Sequence, residues 1–475
     1  MAQESKLRLG ALTALVVGSM IGGGIFSIPQ NMAAGAAAGA VLIGWGVTAI
    51  GMLMLAFVFQ TLANRKPELD NGVYAYAKAG FGNYLGFSSA WGYWISAWLG
   101  NVSYLVLLFG TLGYFFPVFG EGNTTAAIVG ASLALWFVHA LVLRGIKEAA
   151  FINLVTTITK VVPLLTFIVL VGLAFKMDVF TVDFWGKGNA ELGSVLTQVK
   201  SMMLVTVWVF IGIEGASVYS ARAQTRSDVG KATVLGFIGV LLLLVMVNVL
   251  SAGVMSQPEL AKLKNPSMAH VLSHVVGDWG AAFISIGLII SLAGALLSWT
   301  LLSGEILYSA AKDQTMPAFF RRENRNGVPA NALWVSNGAI QAFLILALLY
   351  GKSYLDLIYL ATSMILIPYF FSAIYAVMIA ARGDGYGAGD DSQRHRDMLI
   401  GALAVAYSVW LLYAAGLKYL LLSALLYAPG AIVYAKARLE NGKPIFNDIE
   451  KMYFAAALAG AAYAGYGLYR GTLTI

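Results

Sequence analysis

The chain has no cysteine, which excludes disulfides, thiolate nucleophiles, thiolate-ligated haem and iron–sulfur clusters together. Only 4 of its 475 residues are histidine, leaving little from which to build a metal site or the base of a hydrolase. Charge is scarce as well: 11% of residues are charged against 59% hydrophobic, and the mean hydropathy is +0.77. No water-soluble domain carries that balance, so a soluble enzyme is excluded. The apolar runs are continuous rather than alternating, which excludes an outer-membrane barrel. What remains is an all-α integral membrane protein.

Each helical crossing takes roughly 20 apolar residues. Runs between polar breaks fall near 11–36, 40–62, 85–115, 125–143, 152–175, 199–221, 232–255, 278–304, 331–350, 355–381, 397–415 and 419–435, predicting 12 transmembrane helices. A 13th run, 452–469, is rich in Ala, Gly and Tyr and only just long enough; it reads as a span or as an interfacial helix. The net charge of +7 comes from 30 basic and 23 acidic residues. In a membrane protein that surplus reports orientation first, and nucleic-acid binding is not indicated. With the N-terminus cytoplasmic, most lysines and arginines, among them Lys6, Arg8, Arg65, Arg144 and Arg321, fall in inner connections, which predicts an N-in topology. The polar start Met1–Gly10 leads into the first apolar segment with no small-residue cleavage pattern, so no removable signal peptide is expected. No long soluble insert interrupts the spans, and transport or conduction becomes the default. Asp70–Gly82, DNGVYAYAKAGFG, is mildly amphipathic with Tyr74 and Tyr76 and suits a short helix lying at the cytoplasmic face, whose plain role is anchoring there.

Two spans carry interruptions. The first contains Gly18-Ser-Met20-Ile-Gly22-Gly23-Gly24 and then Pro29. Glycine costs roughly 1 kcal/mol relative to alanine inside a helix. Close helix packing accounts for the Gly18/Gly22 pair, but an unwound stretch accounts better for the triplet, because bare backbone N–H groups bind an anion such as a carboxylate. The sixth span contains Gly212-Ile-Glu214-Gly215, a glycine pair around an ionisable residue. Breaks in the first and sixth spans occupy corresponding positions of two five-helix halves, the pointer to an inverted-repeat transporter with a midplane site. Residues 1–381 then form the transport core, with repeats near 11–175 and 199–381, and 382–475 form accessory transmembrane helices.

The segments GSMIGGGIFSIP, NGVYAYAKAGFG, YWISAWLGN, WVFIGIEGAS, SWTLLSGE and AAKDQTMPAFF together resemble the amino acid–polyamine–organocation superfamily over nearly the whole chain. Within it, the likeness is to the basic amino acid/polyamine antiporters and to bacterial arginine–ornithine antiporters, with lysine and arginine–agmatine exchangers as near relatives. The resemblance implies a LeuT-like five-plus-five fold with helices 1 and 6 discontinuous. It implies that a substrate carboxylate meets the backbone of Gly22, Gly23 and Gly24, and that its ammonium meets carbonyls near Met20, Trp208 and Ile211. Trp208 and Trp299 match stacking and gating positions, and Asn101 matches a residue reaching the substrate's distal end. Lys160 in span five matches the lysine that stands in for a sodium ion in proton-coupled relatives. Arginine–agmatine members place a serine where Gly23 stands, so carboxylate capture here would rest more on backbone.

Independently of family, arginine or ornithine needs receptors for carboxylate and ammonium, and an apolar, electron-rich wall for the distal cation. An indole face supplies about 0.5–2 kcal/mol to such a cation, and Trp208 lies mid-span while most of the 11 tryptophans suit the interfacial belts. Glu214 has three open roles: pairing with the substrate cation, carrying a proton, or bracing the helix break. Glu305 reads as a solvated helix-end residue or as an acceptor lining the inner pathway. Lys160 sits too deep to snorkel easily. His270 and His274 share a helix face, yet no other ligand cluster accompanies them, so no metal site and no cofactor is expected. His139 reads as a hydrogen-bonded packing residue.

The expected function is exchange of extracellular arginine for intracellular ornithine, or a related basic pair, by alternating access, in a bacterial inner membrane. The alternative is a proton-coupled importer of lysine or arginine, with Lys160 or Glu214 carrying the proton. A channel would show recurring polar rings along a pore, and none recurs. Expected partners are arginine, ornithine, lysine or agmatine, and membrane lipids; a homodimer is admitted.

Overall fold

The computed structural model describes residues 8–69, 72–145, 150–214 and 224–473. Among them every regular element is helical, as a bilayer demands of a chain that must satisfy its backbone hydrogen bonds within each segment. The first span is two helices, α1 (Leu9–Met20) and α2 (Gly24–Ala33). There follow α3 (Ala38–Arg65), the short α4 (Val73–Phe81), α5 (Asn83–Leu112), α6 (Thr125–Leu143) and α7 (Ala150–Leu173). The second half runs through α8 (Val195–Trp208), α9 (Arg226–Ala252), the short α10 (Ser267–Val276), α11 (Asp278–Lys312), α12 (Ala330–Leu349) and α13 (Tyr354–Arg382). The chain closes with α14 (Asp391–Tyr427), α15 (Gly430–Glu440) and α16 (Asp448–Tyr469).

Helix starts follow local chemistry. Thr124 and Ser194 accept the N–H groups of Ala127 and Thr197, and Ser353 with Asp356 forms a reciprocal capping box. Eight of the described helical segments are long and apolar enough to cross a bilayer, and α1 with α2 make a ninth. The stretch Asp391–Glu440 counts as one of these at 50 residues. Gly416, at φ +74°, divides it where the sequence separates spans 397–415 and 419–435. Residues 452–469 lie in α16, which is helical for 22 residues but is not among the strongly apolar segments.

One joint recurs along the chain. Twice, a short amphipathic helix precedes a long one and meets it through one glycine: Gly82 (φ 93°, ψ −175°) between α4 and α5, and Gly277 (φ 87°, ψ −175°) between α10 and α11. Such a backbone is open only to glycine. The expectation for Tyr74 and Tyr76 needs correcting. Both are buried, and Tyr76 stacks on Tyr375 of α13 at 6.4 Å, so α4 presents its tyrosines to the protein rather than to the membrane interface. Lys78 of α4 reaches Asp313, just past α11, at 2.6 Å. Asp70 and Asn71, which open that segment, lie outside the described residues.

α16 is also tied to the core. Its buried Glu450 accepts the backbone N–H of Tyr84 at 2.9 Å and the Tyr434 hydroxyl at 3.2 Å. A carboxylate from the C-terminal helix thus caps the first turn of α5, where N–H groups lack helical partners and negative charge is favoured.

Candidate substrate site

α1 stops where the glycines begin. Ile21 leaves helical geometry (φ −75°, ψ 88°), the Gly22 N–H turns back to the Met20 carbonyl at 2.9 Å, and α2 resumes at Gly24, bent 45° from α1. Among the described residues no group accepts the N–H of Gly23 or Gly24. These are the orphan donors of the α2 N-terminus, at the positive end of its dipole.

The sixth span breaks as well. α8 ends at Trp208 and Val209–Glu214 continue as turns, with Ile211 N–H on the Trp208 carbonyl at 3.2 Å. Gly212 adopts φ +108°. A Cβ there would stand 2.9 Å from the Ser19 carbonyl oxygen, so only glycine lets the two breaks approach this closely. The Ser19 hydroxyl donates to the Gly212 carbonyl at 3.0 Å and stitches them together. Gly215 and the rest of this span to residue 221 lie outside the described residues.

A cavity of about 10 Å³, room for a single water, lies where the breaks meet. Met20, Gly22 and Gly24 line it from the first break, and Trp208, Val209 and Ile211 from the second. Ser96, Gly100 and Tyr104 of α5 and Trp299 of α11 complete the wall, which holds no carboxylate. Trp208 dominates it. A Cβ on Gly24 would stand 3.1 Å from the indole Cδ1 and Nε1, and one on Gly100 would stand 3.2 Å from Cη2, so the indole is flanked by two glycines. Its Nε1 donates to the Tyr354 hydroxyl at 3.3 Å, and the Tyr104 ring is tilted against it with centroids 5.9 Å apart.

Six of the residues expected at the site therefore surround one space: Met20, Gly22, Gly24, Trp208, Ile211 and Trp299. The others stand around it. Gly23 packs outward, where a Cβ would meet Leu107 Cδ2 at 2.7 Å and Leu292 Cδ2 at 2.8 Å. A serine there would have to displace those leucines. Asn101 follows Gly100 but is fully buried outside the lining, and neither end of its amide has a hydrogen-bond partner among the described residues; the same holds for the Ser96 hydroxyl. Buried polar groups are ordinarily satisfied.

Glu214 is buried beyond Gly212, where Oε2 accepts the Tyr369 hydroxyl at 2.7 Å and the Gly212 N–H at 3.2 Å. These bonds tie Glu214 to its own broken span and to α13 rather than to the backbone of the first span. Lys160 is 7% exposed and donates from Nζ to the Gly18 carbonyl at 3.2 Å, placing a cation at the C-terminal end of α1. Glu305 is exposed, away from the cavity. His270 is half-buried and His274 exposed, and no third His, Asp or Glu joins them among the described residues. His139 Nδ1 lies 2.7 Å from the Asn337 amide nitrogen.

Sequence reasoning missed Ser96, Tyr104 and Tyr354. The first two were within reach, since 96, 100 and 104 repeat every four residues on one face of α5. Tyr354, the first residue of α13, carries no local signal; only the tertiary fold brings it to Trp208.

The sequence model of the family described as "Amino acid permease" matches residues 7–464. An arginine/ornithine antiporter of Pseudomonas aeruginosa is 69% identical, with 100% of each chain covered. An L-lysine transport protein of Corynebacterium glutamicum is 45% identical over 100% of this chain and 97% of its own, and an arginine/agmatine antiporter of Chlamydia felis is 43% identical over 96% of each. With the family's pattern running nearly end to end and two broken helices meeting at one central cavity, this chain belongs to the amino acid permease family of multi-pass membrane transporters.

Proposed function

We propose that the protein is a carrier, not an enzyme, that exchanges extracellular arginine for intracellular ornithine across a bacterial inner membrane. The observation that carries this reading is the meeting of the two helix breaks, at a pocket that has room for one water as it stands and must widen to admit an amino acid. The unpaired N–H groups of Gly23 and Gly24 offer a receptor for an α-carboxylate, and Trp208, Trp299 and Tyr104 offer aromatic faces to a distal cation. Asn101 and Ser96 hold unused hydrogen-bonding capacity beside it. The name of the Pseudomonas relative, 69% identical end to end, supports arginine and ornithine as the pair. Residues 1–381 form the transport core in this reading and 382–475 the accessory helices. The bias of basic residues supports a cytoplasmic N-terminus.

Arginine and ornithine carry equal charge, so one-for-one exchange is electroneutral. When the unloaded carrier reorients slowly, each inward trip brings one substrate and each outward trip removes the other, and the two gradients drive net flow. The proton-coupled importer is the second reading, favoured by the place of Lys160 on the α1 terminus and by the name of the Corynebacterium relative. Counterflow in liposomes separates the two. An exchanger takes up labelled arginine into vesicles loaded with ornithine and stays idle when they are empty. Accumulation in empty vesicles under a proton gradient would overturn exchange.

A further inference from the structure

A second cavity lies far from the helix breaks, on the face of the molecule where α3 ends and α14 begins. Its volume is about 560 Å³. The two helices meet at Gly51, which abuts the Tyr407 ring too closely for any Cβ, and the cavity lies between them towards the end of α3 and the start of α14. Lining positions on α3 include Phe57, Gln60, Thr61, Asn64 and Arg65, and on α14, which runs the opposite way, Ile400, Asp397, Arg396 and Gln393. These recur at helical spacing, so one face of each helix is turned to the groove. The groove is graded in depth. Phe57 and Ile400 oppose each other at the inner, membrane end, and the arginines and amides stand at the mouth. Beside the apolar end, Ile50 is 63% exposed and Leu399 is 61% exposed, as side chains facing acyl chains are.

Charge at the mouth is divided unequally. The two acids there are engaged: Asp390 accepts Arg65 Nη1 at 2.8 Å and the Gly387 N–H at 3.1 Å, and Asp397 accepts Arg396 and the Tyr386 hydroxyl at 3.1 Å. Arg65 also donates to the Gly385 carbonyl and to Gln393. Arg396 bonds Asp397 through Nε and Nη2 only. Its Nη1 and the amides of Gln60 and Asn64 have no protein partner among the described residues. Among its lining residues the groove thus has spare donors on Arg396 and Asn64 and one carboxylate, Asp397, already engaged, which suits a phosphodiester carrying hydroxyls and disfavours one carrying an ammonium. Basic pockets between membrane helices bind anionic lipid headgroups.

We infer that this groove holds an anionic glycerol-headed phospholipid. Its phosphate rests on Arg396 with Arg65 behind it, its headgroup hydroxyls lie among Gln60 and Asn64, and an acyl chain leaves past Phe57 and Ile400. A soluble phosphate ester would fill the mouth but make no use of the apolar end. The lipid bridges the transport core and the C-terminal helices at a site separate from substrate.

The test is native mass spectrometry of the purified protein titrated with dioleoylphosphatidylglycerol or dioleoylphosphatidylethanolamine, with thermal unfolding as the check on fold. The wild type should retain the glycerol lipid in preference to the ethanolamine lipid. Arg396→Gln should weaken the glycerol lipid about fivefold, the equivalent of ~1 kcal/mol for one basic residue at a membrane surface, without moving the ethanolamine lipid. Arg396→Lys should keep most of the preference. Should Arg396→Gln fail to fold, Asn64→Leu tests the same mouth with both arginines intact, and an unchanged preference there would count against the site. Equal retention of both lipids by the wild type, an Arg396→Gln titration that overlays the wild type, or displacement of the lipid by millimolar glycerol 1-phosphate would overturn the inference.

Discussion

Replacing Trp208 isolates what the aromatic wall contributes to substrate. The indole supplies a π face to the cavity and one N–H, given to Tyr354 at 3.3 Å. A desolvated cation on an indole gains about 0.5–2 kcal/mol, and the hydrogen bond that holds the ring in place contributes about 0.5–1.5 kcal/mol. Trp208→Phe keeps a π face and loses the N–H, so arginine affinity should fall about two- to tenfold. Trp208→Ala loses both and leaves a void between Gly24 and Gly100, so affinity should fall between about fivefold and several hundredfold. The same void should cost about 3–5 kcal/mol of stability, which makes thermal unfolding a necessary companion measurement. Tyr354→Phe, which removes only the acceptor, should resemble the milder variant. Isothermal calorimetry of arginine binding reads all three. An alanine variant that stays folded and binds arginine as the wild type does would refute the wall as a receptor.

Three further substitutions probe the surrounding structure. Gly24→Ala places a methyl 2.9 Å from Val209 Cγ1 and 3.1 Å from the indole; it should cost about 1–3 kcal/mol by overpacking, and a wild-type unfolding temperature with unaltered arginine binding would show that the break yields freely. Lys160→Ala withdraws the cation from the Gly18 carbonyl and should slow exchange and alter its pH dependence; identical rates at every pH would remove Lys160 from the cycle. Burial, then the charge of Lys264, holds His270 below the usual histidine value. Its contribution to stability is therefore full above ~6.5 and is lost as the pH falls through the lower folded value. His270→Gln should flatten the decline in unfolding temperature between pH ~7 and ~5, and an unchanged slope would assign that decline to other groups.

The membrane-helix class was legible because lipid leaves a helix no alternative to a long apolar run, although eight described segments and one bent pair meet that standard against the twelve expected spans, and the first break was legible because three adjacent glycines have no place in a regular helix. The sixth span was less so. Its helix ends at Trp208, four residues ahead of Gly212, because the turn begins where backbone must approach Ser19, a condition set by the other helix. Period alone says which side of a helix is apolar but not whether protein or lipid covers it, and for that reason Tyr74 and Tyr76 were misplaced at the interface. Tyr354 and the Glu450 cap on α5 depend on partners more than a hundred residues away in the chain. Nothing local distinguishes Gly23, which packs on leucines, from Gly22 and Gly24, which bound the cavity.

Gly82 and Gly277 give the chain the same elbow twice, each ahead of a long membrane-crossing helix. In the proposed exchanger these joints hold one short helix across the start of each third span in the same manner. As for any passive exchanger, the direction of the proposed traffic is decided by which compartment is richer in each solute, and it runs in reverse when the concentrations do.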